Sequence, residues 1–261
     1  MIQFNPLSIN AQDISNQGIL SAAATGLSDF ILHKGADVDR IFAISGINPE
    51  LLLSPTLSLQ LTNYCEVLEQ SAKLSHCDNF GLHYGQQFHP KALGLIGYIG
   101  LCSASLEDAL KNMTSHFNLH QKDTLCRIVE VNDAYRFDYQ VQHGAILSRR
   151  QDAELTVGMF MNVIREVLGT HYSPREIHFE HPRPEFWQEH SKLFNASVFF
   201  DQPFNSILIA KSDLKTAMPQ SDPLLLTMML DTLKILNTQS QSQSLTNQVR
   251  AHIQQDLIHG E

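Results

Sequence analysis

The chain has 261 residues, 43% of them hydrophobic and only 17% charged, with a formal net charge of −9. That length suits one large domain or two small ones, and the low charge fraction requires a sizeable core, compatible with an apolar cleft or an oligomer face. The acidic balance argues against a free-standing nucleic-acid-binding domain, which carries a basic patch; the longest cationic run here is Arg149-Arg150.

The first ten residues have no positive n-region and no long apolar core, so they are not read as a signal peptide. No stretch approaches the roughly 20 apolar residues of a membrane span, and a cytoplasmic protein is expected. Residues 14–34 read as a helix of small residues ended by Lys34-Gly35, and residues 37–45 as a second helix closed by Gly46. Over 57–74, Leu57, Leu61, Tyr64, Cys65, Leu68 and Ala72 form a helical stripe. A short helix follows over 80–87, then an apolar, glycine-rich helix over 91–102, expected to be buried all round. Ser105, with Asp108 three residues on, resembles a capping box opening a helix to His120.

The period then changes. Residues 125–131 and 135–141 alternate with period two around an Asn132-Asp133 turn, a hairpin pattern. A long helix is expected over 144–168, closed by Gly169, then short strands over 177–180, 197–200 and 206–209, with a helix over 182–193 between the first two. Helices first, then a hairpin, then β-α-β-β is no regular βαβ alternation. The fold class expected is α+β: a helical part packed with a small mixed or antiparallel sheet of about five short strands, with long helices on it. Residues 222–236 form a last amphipathic helix. Residues 238–244, TQSQSQS, read as a flexible polar linker. Beyond it, 245–258 reads as a single helix, too short to bury its own apolar stripe alone.

Chemistry is sparse. Cys65, Cys77, Cys102 and Cys126 have no CxxC spacing, so a zinc ribbon or thioredoxin-like motif is excluded; they are placed on three helices and one strand as buried free thiols. His116 and His120 lie four apart on a helix, a spacing that serves a zinc site, a ligand pocket or a solvated pair. Phe117 stands where a metalloprotease would need Glu, and no third ligand is near, so neither a metal nor a cofactor is expected. The glycines at 94–100 lack the spacing and the Lys-Ser/Thr of a phosphate loop. Asp152 and Glu154, two apart on a helix, point to different faces and read as a solvated first turn. His178 and Glu180 read as a surface pair. Nothing assembles a nucleophile, a base and an oxyanion donor, and no GxSxG elbow is present.

Several stretches together carry a resemblance. They are NFGLHYGQQFHPKALGLIGYIGLCSASLEDALKNMTSHFNLH at 79–120 and PREIHFEHPRPEFWQEHSKLFNASVFFDQPFNSILIAKSDLKTAMPQSDP at 174–223, with Leu32-His33-Lys34-Gly35 and GINPELL at 46–52. In order and spacing they resemble the AraC/XylS transcription regulators, in the branch with an arabinose-binding-like N-terminal regulatory domain. The likeness spans roughly residues 18–235. Arg150, Gln151 and Glu154 match the family pattern at the start of the long helix, with no role assigned to them.

The resemblance implies an effector-sensing and dimerisation domain over 1–237, the linker at 238–244, and at 245–261 the start of a DNA-binding domain whose helix-turn-helix motifs would follow. It implies a small-molecule effector, a homodimer, DNA contact only through that C-terminal domain, and RNA polymerase as a partner of the full-length regulator. Tyr98, His116, Phe117 and His120 are the expected pocket residues. Leu225, Met228, Met229, Thr232 and Leu236 form the expected dimerisation stripe, which could equally pack on its own domain. A dimerisation-only domain and a small-molecule hydrolase are the competing readings.

Overall fold

The computed structural model describes residues 18–235. The expected linker at 238–244 and helix at 245–258 lie outside the described residues.

The elements run β1 (Ile19–Leu20), α1 (Leu27–His33), α2 (Val38–Ser45), β2 (Ser58–Leu59), α3 (Leu61–Leu74), α4 (Phe80–Gln87), α5 (Leu95–Cys102), α6 (Leu106–His120), β3 (Thr124–Val131), β4 (Ala134–Val141), α7 (Arg150–Leu168), β5 (Glu176–His178), α8 (Gln188–Phe194), β6 (Ser197–Phe199), β7 (Asn205–Ala210) and α9 (Lys211–Leu214). A further helix, α10, covers described residues 223–235. The fold is α+β. Local chemistry explains some of the boundaries. Asp37 caps α2 by accepting from Arg40 N at 3.0 Å. Ser105 caps α6, accepting from Asp108 N at 3.1 Å and donating to the Asp108 carboxylate at 2.7 Å.

Five strands form one mixed sheet in the order β3-β4-β7-β5-β6. All neighbours are antiparallel except β5 and β6, which run parallel. The hairpin pairs Val131 with Ala134 across a turn in which Asn132 takes φ 54°. Strands β1 and β2 form a separate antiparallel pair.

Some expected boundaries shift. The helix expected over 14–34 is described only from residue 18, and there it is a strand at Ile19–Leu20, a 3-10 turn at Ser21–Ala24 and then α1. Gly26, at φ 79°, sets the break: a left-handed residue cannot continue a right-handed helix. The expected 57–74 helix yields residues 58–59 to β2, which pairs with β1. The 144–168 helix begins only at Arg150, and the 182–193 helix is confined to α8, after a proline-bearing approach through Pro182 and Pro184. Cys77 sits on the loop after α3 rather than on a helix. The four thiols are free, with Cys65 and Cys102 buried and Cys77 and Cys126 half-buried.

Helix α7 is the axis of the molecule, buried at every residue from Gln151 to Met161. Its sheet side carries Phe160, whose ring lies 4.0 Å from that of Phe137 on β4 and 5.9 Å from Phe117 on α6. Its opposite side meets α4 at backbone contact. A Cβ on Gly81 would stand 2.0 Å from the Gln151 carbonyl oxygen, and one on Gly85 would stand 2.7 Å from that of Leu155. On α7 itself, a Cβ on Gly158 would stand 3.0 Å from the Gly85 carbonyl carbon. Only glycine allows this crossing.

Candidate functional site

At about 100° per residue, α7 presents three sets of side chains to three neighbours. Asp152, Thr156 and Phe160 face the sheet. Gln151, Leu155, Gly158 and Asn162 face α4 and the residues flanking it. Arg150, Glu154 and Arg165 face α8 and its flanks.

On the sheet side a polar chain runs through the apolar layer. Tyr139 of β4 donates its hydroxyl to the Asp152 carboxylate at 2.5 Å. Gln121, the residue after α6, donates its side-chain amide to the Tyr139 oxygen at 2.7 Å and to Thr124 at 2.9 Å. Asp152 is 1% exposed and Tyr139 is fully buried. Burial pushes the Asp152 carboxyl up to about 7, with Glu69 and Glu180 adding repulsion and the Tyr139 hydrogen bond and Arg149 pulling back. Burial also raises Glu69, which accepts from Gln151 N at 3.0 Å. His120 closes one end of this layer. Its ring lies 5.5 Å from that of Phe117, and its Nδ1 has no hydrogen-bond partner among the described residues. Burial holds it down to about 4, so it is a neutral imidazole at physiological pH.

On the α8 side, Glu154 is fully buried with His190 and beside His181. Glu154 Oε1 accepts from His190 Nε2 at 2.8 Å and from Arg150 Nε at 2.7 Å, and stands 3.5 Å from His181 Nε2. Burial alone would raise this carboxyl, but the His190 hydrogen bond and the surrounding positive groups hold it below its ordinary value. Arg150 reaches on to Asp78 at 3.0 Å and to the Asn79 side chain. Gln151 accepts from Gly81 N at 2.7 Å and donates to the Asp78 carbonyl at 2.8 Å. The family-pattern residues Arg150, Gln151 and Glu154 therefore moor α7 to the start of α4 and to the His181–His190 segment.

Asp152 and Glu154 are not a solvated first turn: both are buried, because α7 starts inside the molecule beneath α3 and α4 rather than at its surface. His178 and Glu180 do not pair with each other. His178 bonds Glu176 at 2.8 Å, while Glu180 takes both Arg149, at 2.7 Å, and Gln140, at 2.7 Å. The expected pocket residues separate. Phe117 and His120 are buried and in contact; His116 is half-exposed and bonds the Asn112 carbonyl at 2.8 Å, and Tyr98 is 36% exposed on α5. Of the expected dimerisation stripe, Met228 and Thr232 are exposed, Leu225 is half-buried, and Met229 packs on the core with Leu226, Leu230 and Leu233. Leu236 lies outside the described residues.

Cys77, His83 and Glu189 approach a nucleophile–base–carboxylate relay. Cys77 Sγ lies 3.5 Å from His83 Nδ1, and His83 Nε2 lies 3.0 Å from Glu189. The chemistry runs the wrong way: burial raises the Cys77 thiol, and Lys34 Nζ competes for the same Nδ1 at 3.4 Å. Among the described residues no helix is long and apolar enough to cross a membrane.

Comparison with known proteins agrees with the fold. Residues 35–218 match the family model described as the arabinose-binding domain of AraC transcription regulators, N-terminal. The ornithine utilization regulator of Pseudomonas aeruginosa is 20% identical over 77% of this chain, which spans 60% of that protein's length. The crystal structure of transcriptional regulator CdpR from Pseudomonas aeruginosa superposes with a TM-score of 0.56 at 14% identity, covering 85% of this chain and 70% of that one. With most of the described residues inside the family match, the chain belongs to the arabinose-binding regulatory-domain family of AraC transcription regulators.

Proposed function

We propose that this chain is the effector-sensing and dimerisation part of an AraC/XylS-type regulator. It binds a small metabolite and so controls DNA binding by a C-terminal helix-turn-helix domain. The carrying observation is the Asp152–Tyr139–Gln121 chain with His120 beside it, a set of buried polar groups inside an apolar helix–sheet layer. Effector pockets are built this way: mostly apolar, with a few convergent polar groups fixing orientation. His120 Nδ1 is a buried polar atom for which a ligand would supply the missing bond.

A route outward supports the reading. The segment leading to α10 is bonded to the α5–α6 turn through Leu106 N to Thr216 O at 2.9 Å, Met218 N to Ala104 O at 3.1 Å and Asp222 N to Cys102 O at 3.0 Å. An effector that binds two positions of α6 with different affinity therefore biases α10 as well. Exposed Leu224 and Met228 on α10 suit a homodimer face, which also favours the second reading, a dimerisation domain without ligand. In the full-length regulator the partners are DNA and RNA polymerase, in the cytoplasm, and the chain itself is not an enzyme.

The test is a thermal-shift screen against amino acids, polyamines, sugars, fatty acids and aromatic acids, beginning with ornithine because a relative regulates its utilization. A specific ligand at about 100 times its dissociation constant adds roughly 2.7 kcal/mol. A saturable shift from one class, abolished in Asp152→Asn, is the expected result. No shift from any class, with native mass spectrometry finding no co-purified molecule, would leave the dimerisation-only reading standing.

A further inference from the structure

The Glu154–His181–His190 cluster does more than an ion-pair network requires. One donor atom from each residue lies within 4.8 Å of the other two, and all three residues are buried. The three come from different segments: Glu154 from the start of α7, His181 from the loop after β5, and His190 from α8. Their hydrogen bonding is unbalanced. Glu154 Oε1 takes both the His190 and Arg150 bonds, while Oε2 has none among the described residues. His181 Nδ1 lies 2.9 Å from the Pro182 carbonyl oxygen, which can only accept, so Nδ1 carries the hydrogen. In the neutral ring His181 Nε2 is then the lone-pair nitrogen. It stands 3.5 Å from a carboxylate oxygen, also a lone-pair atom, with no hydrogen bond between them. In that state two acceptors face each other in a buried site, an arrangement that a proton or a metal ion between them relieves.

We propose that Glu154, His181 and His190 bind a divalent transition-metal ion of borderline softness, such as zinc or ferrous iron, through two imidazole nitrogens and one carboxylate oxygen, with the His190 ring hydrogen moved from Nε2 to Nδ1, which has no hydrogen-bond partner among the described residues. The donor set is the right kind for that class of ion, and a hard ion such as calcium would want oxygens throughout. The Nδ1–Pro182 bond is the outer-shell contact that fixes a histidine ligand's tautomer and aims its other nitrogen. Local charge also agrees. Arg150 is cationic, but its guanidinium is shared with Asp78, and Glu189 lies next to His190 in the chain and bonds the same Asn79. With Lys34, which reaches the His83 that bonds Glu189, three carboxylates stand against two cations, and the remaining negative charge favours a cation. Its structural effect is to clamp α7 to the segment carrying α8. The inference does not rest on the effector reading and stands if that reading fails.

The full chain, purified without a histidine tag and stripped with chelator, is dialysed against zinc and separately against cobalt(II), and bound metal is measured by mass spectrometry. The expected result is stoichiometric metal, a visible cobalt ligand-field spectrum, and a higher melting temperature with metal than in chelator. His181→Gln, at the edge of the cluster, and Glu154→Gln are expected to lose the metal. His116→Gln is expected to keep it, since that residue is half-exposed on another helix. Circular dichroism of the stripped variants separates lost binding from lost fold. No retained metal and no metal-dependent melting shift in the unmodified chain overturns the proposal. So does cobalt binding that His181→Gln leaves intact, or that His116→Gln removes.

Discussion

His120 shows how a single buried group couples this fold to pH. Its unfolded form takes a proton at about 6.5, but in the folded protein burial holds the group down to about 4. Between those values the unfolded chain binds the extra proton and the folded chain does not, so stability falls as pH drops through the window. The loss at its acid end is about 3 kcal/mol. His120→Leu should flatten that acid limb, measured as melting temperature against pH from 7 to 4; an unchanged slope would show that other groups set it. Arg150 is a second test. It balances Glu154 and Asp78, and Arg150→Met leaves a buried carboxylate short of its partner. A cost of about 3 kcal/mol or more is expected in urea unfolding. His120 stood out in the sequence because His116 four residues earlier made a pair, yet only His120 turned inward. Glu154 did not stand out. Its partner His190 lies 36 residues away, and no local spacing announces a contact made across two loops.

At the level of elements, the sequence was most readable where a boundary carries its own chemistry. Asp37, Ser105 and Asn132 each satisfy or turn the backbone locally, and the helices and hairpin they bound were visible as patterns. Helix α7 was visible as a helix but not as the central one. Its charged residues Arg150, Asp152 and Glu154 look like a solvent-facing turn until α3, α4 and β4 close over them. Strands β1 and β2 were hidden because two-residue strands have no period, and only their mutual pairing defines them. The α4–α7 crossing gives a sharp prediction. Gly81→Ala places a methyl group 2.0 Å from the Gln151 carbonyl, where backbone rather than a flexible side chain must yield. It should cost about 3 kcal/mol in thermal or urea unfolding, at the upper end for overpacking. Gly144→Ala, with nothing near its Cβ, is the matched control and should cost far less.

For the whole molecule, α10 carries the proposed assembly surface. One side of it, through Leu226, Met229, Leu230 and Leu233, is spent on the domain's own core. Leu224, Met228 and Ile235 remain 74%, 58% and 59% exposed, an apolar surface without a covering element among the described residues. If this is the dimer face, Met228→Glu should shift the chain from dimer to monomer in analytical ultracentrifugation while leaving monomer folding intact by circular dichroism. A variant that stays dimeric would place the interface elsewhere. The amphipathic pattern alone could not divide the helix into these two sides, because both are apolar and only the packing tells them apart.

The glycine crossing also bears on how movement spreads. Where helices meet through long side chains, small displacements are absorbed by rotamer changes before they reach the neighbour. Between α4 and α7 no such cushion exists, since backbone rests on backbone at Gly81, Gly85 and Gly158. The two helices must therefore travel as one body. A displacement of α7 from the sheet side would be carried to the loop before α4, where Asp78 and Asn79 are bound by Arg150. A joint of backbone on backbone is thus suited to pass a displacement from one helix to the other.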